Sequence, residues 1–144
     1  MMQSSPEVWK EFFETYYRDE LNRIAEKTIS MDGFSSIKVD FLRDLAIFRE
    51  GMVAEELLEE PDIVIKHANE GIARAENIHE VSLTKSIARF FNLPISRRVL
   101  IRDLRSEHIS KFVSIEGIVR KVTEVRPRIV EAAFVCGSCG KKIL

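Results

Sequence analysis

Cysteine is nearly absent: the 144 residues hold two, three positions apart near the far end of the chain. So small and close a pair cannot build the disulfide framework of a secreted mini-domain. No apolar run approaches the roughly 18 residues of a membrane span, because charged side chains interrupt every hydrophobic stretch. The opening MMQSSPEVWKEFF lacks the basic-then-apolar order of a secretory leader. A soluble, intracellular protein with no membrane partner is therefore expected. No Gly-x-x-x-x-Gly-Lys-[Ser/Thr] or other phosphate-cradling loop occurs, and there is neither internal repeat nor low-complexity segment. His67, His79 and His108 have no nucleophile or base at a telling spacing, so they read as structural or surface residues. No catalytic group is visible.

What is present is globular: 45% of the residues are hydrophobic and 31% charged, enough to bury a core. The net charge of −1 conceals a split. Residues 1–65 carry 7 basic and 15 acidic side chains, and residues 66–144 carry 15 basic and 8 acidic. The second half is the one suited to meet an anion.

The spacing predicts α+β organisation: a four-helix bundle over 1–80, then over 81–144 a few strands of an unfinished sheet with a Cys-x-x-Cys knuckle. Ser4 and Glu7 have capping-box spacing with Pro6 in the first turn. Val8, Trp9, Phe12, Phe13, Tyr16, Tyr17, Leu21 and Ile24 then form an apolar stripe that predicts one helix over 6–27. Gly33 and small polar residues break the pattern. Asp40 is placed to cap a short helix that ends at Gly51, Met52–Glu60 forms another, and Pro61 opens a fourth. Beyond Asn77, residues 86–91 read as a strand closed by Asn92-Leu93-Pro94. Alternation over 112–125 predicts a half-buried strand bent at Gly117, turning at Arg126-Pro127 into a returning strand over 128–135. Such a hairpin needs further strands to be stable, so the sheet reads as unfinished.

Cys136-Gly137-Ser138-Cys139-Gly140-Lys141-Lys142 is the sharpest motif. Two thiolates aimed from one tight turn make half of a tetrahedral zinc site, which takes four ligands. A redox dithiol and a plain buried pair are the other readings, although a redox pair calls for a helix starting at the second cysteine. The second signal is a basic run: 13 basic against 5 acidic residues over 85–144. Arg120, Lys121, Arg126 and Arg128, along or at the end of two adjacent strands of one sheet, would follow a phosphate backbone. The bland reading is a solvated outer face, and that is also how the acidic run Glu55, Glu56, Glu59, Glu60 and Asp62 is read.

The stretch VLIRDLRSEHISKFVSIEGIVRKVTEVRPRIVEAAFVCGSCG, residues 99–140, resembles the N-terminal region of the minichromosome maintenance (MCM) replicative helicases, the archaeal members above all. Leu104-Arg105-Ser106, Glu116-Gly117-Ile118-Val119-Arg120, Val125-Arg126-Pro127 and Ala133-Phe134-x-Cys136-x-x-Cys139-Gly140 carry the resemblance. It implies a helical subdomain followed by an oligonucleotide/oligosaccharide-binding (OB) barrel with an inserted zinc ribbon. It also implies a hexameric or double-hexameric ring around single- or double-stranded DNA, in the prokaryotic cytoplasm at the nucleoid, and a downstream ATPase using ATP and magnesium. Cys136 and Cys139 become the first two zinc ligands of a site incomplete in this chain. The hairpin around Arg126 faces DNA. Whether the activity is enzymatic is left to the longer protein, of which this chain reads as a piece. A second Cys-x-x-Cys and a Walker-type loop are expected to follow. The competing assignments are a small zinc-ribbon protein of transcription or translation, and a dithiol redox protein.

Overall fold

The computed structural model describes residues 3–30, 33–127, 132–135 and 137–143, in a mixed arrangement of helices and strands. Helix α1 (Pro6–Tyr16) starts at Ser5, whose Oγ accepts the Val8 N–H at 3.3 Å. Ser4, expected as the cap, is instead buried: its Oγ accepts the Trp9 indole N–H at 3.0 Å and lies 3.1 Å from His67 Nδ1. Glu7 turns outward to Arg74. The single helix expected over 6–27 is two, because α2 (Arg18–Ser30) starts after a break at Tyr17, φ −130° and ψ 28°. The apolar stripe crosses the break with Tyr17, Leu21 and Ile24 still buried, so periodicity could not reveal it.

Strand β1 (Ser35–Asp40) follows where only a pattern break was expected. The short helix expected from Asp40 to Gly51 is a single π-type turn, Phe41–Leu45, although the Asp40 carboxylate does accept the Arg43 N–H at 3.0 Å. Arg49, Glu50 and Gly51 then all take left-handed dihedrals, φ 47°, 57° and 78°, and swing the chain into α3 (Met52–Glu59). Helix α4 (Pro61–Arg74) follows with its proline in the first turn, where no N–H is needed.

Strand β2 (Ser86–Phe91) pairs with β1 in parallel, Ile37 against Ala88, Lys38 against Arg89 and Val39 against Phe90. Side chains cap both outer edges of this pair. The Asp40 N–H donates to Tyr17 Oη at 3.0 Å, and the Ala88 N–H to Asn69 Oδ1 at 2.8 Å. An edge N–H held this way is not open to another strand.

The core joins α1–α4 to the inner face of the pair: Trp9, Phe12, Phe13, Leu21, Leu45, Leu57, Val64 and Ile72 meet Ile37, Val39, Leu83 and Ala88. Burying each large side chain stabilises by about 1.5–3 kcal/mol. The four helices among the described residues are thus no self-contained bundle. A strand from beyond residue 80 completes their core, since among the described residues β1 pairs with β2 alone.

After Leu93 no described residue is buried. Strand β3 (Arg98–Leu100) pairs in parallel with β4 (Ser114–Glu116), and β5 (Phe134–Val135) pairs antiparallel with β6 (Lys142–Ile143). The long strand expected over 112–125 is confined to β4, and 117–127 has no regular structure. Val125 is 99% exposed rather than half-buried. Alternation fits a strand only where a partner and a covering layer exist, and the described residues provide neither. Of the returning strand, 128–131 lie outside the described residues, and 134–135 pair with β6 instead.

Candidate nucleic-acid interface and metal knuckle

The basic half is tied to the helical layer at the end of α3. The Glu59 carboxylate accepts from Arg97 Nη2 on one oxygen and from Lys111 Nζ on the other. These two donors hold its carboxyl below the usual carboxylate range. The neighbouring Phe112 N–H donates to the Leu58 carbonyl at 3.1 Å, and the Phe112 ring meets Phe90 edge-on at 5.9 Å. The acidic run was therefore misread as a purely solvated face. Glu59 clasps the second half to the first, and Glu56 accepts the Ser4 N–H at 2.8 Å. No local signal shows this, because the partners of these side chains lie 38 to 53 residues away along the chain.

Beyond the clasp stand the cations read from the sequence. Arg120, Lys121 and Arg126 are exposed and make no ion pair or hydrogen bond to the described residues. They share one irregular segment, 117–127, and among the described residues no sheet lies beneath them. Arg128 lies outside the described residues. With neighbouring carboxylates unengaged and solvent all around, these charges are available to an external anion.

The knuckle sits on the β5–β6 hairpin. Its turn runs over 137–139, and Gly140 returns the chain at φ 68°, a dihedral that glycine takes without strain. Cys139 is free and exposed, while Cys136 lies outside the described residues. Of the two sequence-predicted thiols, the described residues thus place one, Cys139, on an open turn, whereas a structural zinc site takes four ligands. His108 does not add a third, since its Nδ1 accepts the Arg105 N–H at 3.0 Å. Among the described residues, no three His, Cys, Asp or Glu side chains gather into a metal cluster.

A polar hub anchors the other end of the pair. Tyr17 Oη donates to Asp44, whose carboxylate also takes a bidentate pair from Arg43 at 2.8 and 2.9 Å. Asn92 closes the hub on Asp40 at 2.9 Å. Burial, reinforced by the Asp44 contact, pushes the Tyr17 hydroxyl up to about 12. The Arg43 guanidinium, with Tyr17, holds the Asp44 carboxyl down against its burial, and the Arg43 N–H and Asn92 do the same for Asp40.

Comparison with known proteins gives this geometry its family. Residues 100–144 match the MCM OB domain. The chain is 36% identical over 67 residues to DNA replication licensing factor mcm7-A of Xenopus laevis, covering 46% of this chain and 9% of that protein. It is 27% identical over 139 residues to licensing factor MCM6 of Oryza sativa subsp. indica, covering 90% and 16%. A 1.8 Å crystal structure of the N-terminal domain of an archaeal MCM superposes with a TM-score of 0.70 at 33% identity, over 96% of this chain and 55% of that one. The chain thus spans about half of the solved domain and a small part of the licensing factors. Likeness to both archaeal and eukaryotic members removes the restriction to archaea. The chain carries an MCM OB domain at residues 100–144 and, over nearly its whole length, matches the N-terminal region of a minichromosome maintenance protein.

Proposed function

We propose that this chain is the DNA-engaging, ring-assembling part of a replicative helicase, acting inside the cell where DNA is copied. The observation that carries the reading is the likeness of nearly the whole chain, helices and OB segment together, to an archaeal MCM N-terminal domain. The same breadth disfavours a stand-alone zinc ribbon of transcription or translation, which would share only the knuckle.

In this reading Arg120, Lys121, Arg126 and Arg128 contact the phosphates of single- or double-stranded DNA. Their chemistry supports it, because guanidinium and ammonium groups bind phosphates by releasing counterions, and Arg120, Lys121 and Arg126 make no ion pair to the described residues. Cys136 and Cys139 hold two positions of a zinc site that the rest of the ribbon completes. The metal's part is to cross-link a small β-ribbon that has little core of its own. The helical layer, residues 1–80, lies outside as a regulatory or docking piece, and residues 81–144 form the OB part. ATP and magnesium chemistry belongs to the longer protein, as does closure into a hexamer or double hexamer.

Arg126→Ala with Arg128→Ala in the ring-forming protein should weaken single-stranded DNA binding several-fold while leaving the assembly intact. Unchanged affinity would oppose the assignment of these residues. Cys136→Ser with Cys139→Ser should lower the zinc content of that protein, and retained zinc would remove the knuckle from the site.

A further inference from the structure

The outward face of the β1–β2 pair is the surface that the family reading leaves unused. Lys38 and Arg89 are register partners on parallel strands, so their backbones lie about 4.8 Å apart and both side chains leave the same face. Their inward neighbours Ile37, Val39 and Ala88 are buried, and both cations are exposed. Neither makes an ion pair or hydrogen bond to any described residue. The nearest carboxylate in register, Asp40, is engaged by the Arg43 N–H and by Asn92. Like charges directly opposite in a sheet are destabilising, and nothing in the described chain offsets this pair. Two residues along the strand from Arg89, on the same face, the Phe91 ring is 48% exposed, about one nucleotide step away at 3.3 Å per residue.

We propose that this face is a second binding surface for single-stranded nucleic acid, with Lys38 and Arg89 on the phosphates and Phe91 stacking on a base. Paired cations beside an open aromatic ring are the combination that single-strand sites use, cation for backbone and π-face for any base. An acidic protein surface would satisfy the charges and leave the ring without its role. The capped edges of the pair argue against strand addition, so the ligand lies across the face rather than extending the sheet. This surface belongs to the helical layer, on the far side of the core from the buried α1–α4 contact. It goes beyond the contacts assigned to 120–128.

The test measures binding of a fluorescent oligothymidylate to the 144-residue chain across a salt series. The variants are Lys38→Gln with Arg89→Gln, Phe91→Ala, and a reference with Arg120, Lys121 and Arg126 all changed to Gln. The charge variant should bind several-fold more weakly, and its plot of log affinity against log salt should flatten by about 1.4, about 0.7 for each of two phosphate contacts. Phe91→Ala should weaken binding with the slope unchanged. All three positions are exposed, so circular dichroism should match the parent, and the charge variant's Tm should be no lower because an opposed like-charge pair is removed. A folded charge variant that keeps the parent's affinity and slope overturns this surface, as does one that loses only self-association in sedimentation. Loss in the reference alone refutes this surface and leaves the 120–128 assignment standing. Loss in the Lys38/Arg89 variant alone does the reverse, and a parent that binds no oligonucleotide refutes both.

Discussion

Tyr17 shows how one side chain can set the course of the backbone. Its hydroxyl donates to Asp44, accepts the Asp40 N–H and sits where α1 ends and α2 begins. Replacing it with Phe would leave a buried N–H without an acceptor and a carboxylate short of a donor. Tyr17→Phe should cost about 1–3 kcal/mol in denaturant unfolding. A loss below about 0.5 kcal/mol would mean that water serves the hub equally well. The hub also fixes two pH limits. Asp40 and Asp44 have depressed carboxyls in the fold, so their contribution is present above the ordinary aspartate value, about 3.9, and is lost as pH falls through the lower folded values. At the alkaline end the Tyr17 hydroxyl is raised from about 10 to about 12, so its contribution holds below pH 10 and fades as pH climbs towards 12. Ultraviolet titration should show one tyrosine resisting ionisation until near pH 12. Ionisation of that group near pH 10 in the folded chain would contradict the hub.

Among the helices, α1 and α4 pack closely at Gly71. A Cβ on Gly71 would lie 2.5 Å from Trp9 Cβ and 2.9 Å from the α1 backbone, so glycine in a helix interior is retained there despite costing about 1 kcal/mol in propensity. Gly71→Ala should therefore destabilise by about 1–3 kcal/mol rather than stabilise, as thermal unfolding would show. A rise in Tm would mean that the helices separate freely. The clasp at Glu59 gives a second expectation. Glu59→Gln should accelerate hydrogen exchange of the Phe112 amide, which bonds to Leu58, and leave β2 amides protected. Equal protection in both proteins would show that the Phe90–Phe112 contact alone holds the segment.

The elements also show what the sequence made legible. Helices α1, α3 and α4 and strand β2 follow from local punctuation, Pro6, Pro61 and Asn92-Leu93-Pro94, acting on clear periodicity. What stayed hidden depends on distant partners. The break at Tyr17 needs Asp44, 27 residues on, and β1 becomes a strand only beside β2, some 50 residues later. The opposite error arose over 112–125, where good alternation lacked the neighbours that would make it a sheet. In the candidate site the Cys-x-x-Cys and the cations were legible as residue types. The pairing of Lys38 with Arg89 was not, since register is a property of two strands.

At the scale of the molecule, the charge split acquires a physical division. The acidic half builds the core together with residues 66–93, and beyond Leu93 no described residue is buried, that stretch being tied back through Glu59. A basic segment without internal partners has a free-energy gain available from phosphates, whether or not a sheet already supports it. Among the described residues no barrel wall lies beneath Arg120 and Arg126, so the account now rests on the charges and on the likeness to MCM proteins. The most direct measurement is the salt dependence of single-stranded oligonucleotide binding to the chain, with and without Arg120→Gln, Lys121→Gln and Arg126→Gln. The account predicts that the log–log slope falls by about 2 when the three charges go, at about 0.7 per contact. A slope that does not change, with binding intact, would contradict it.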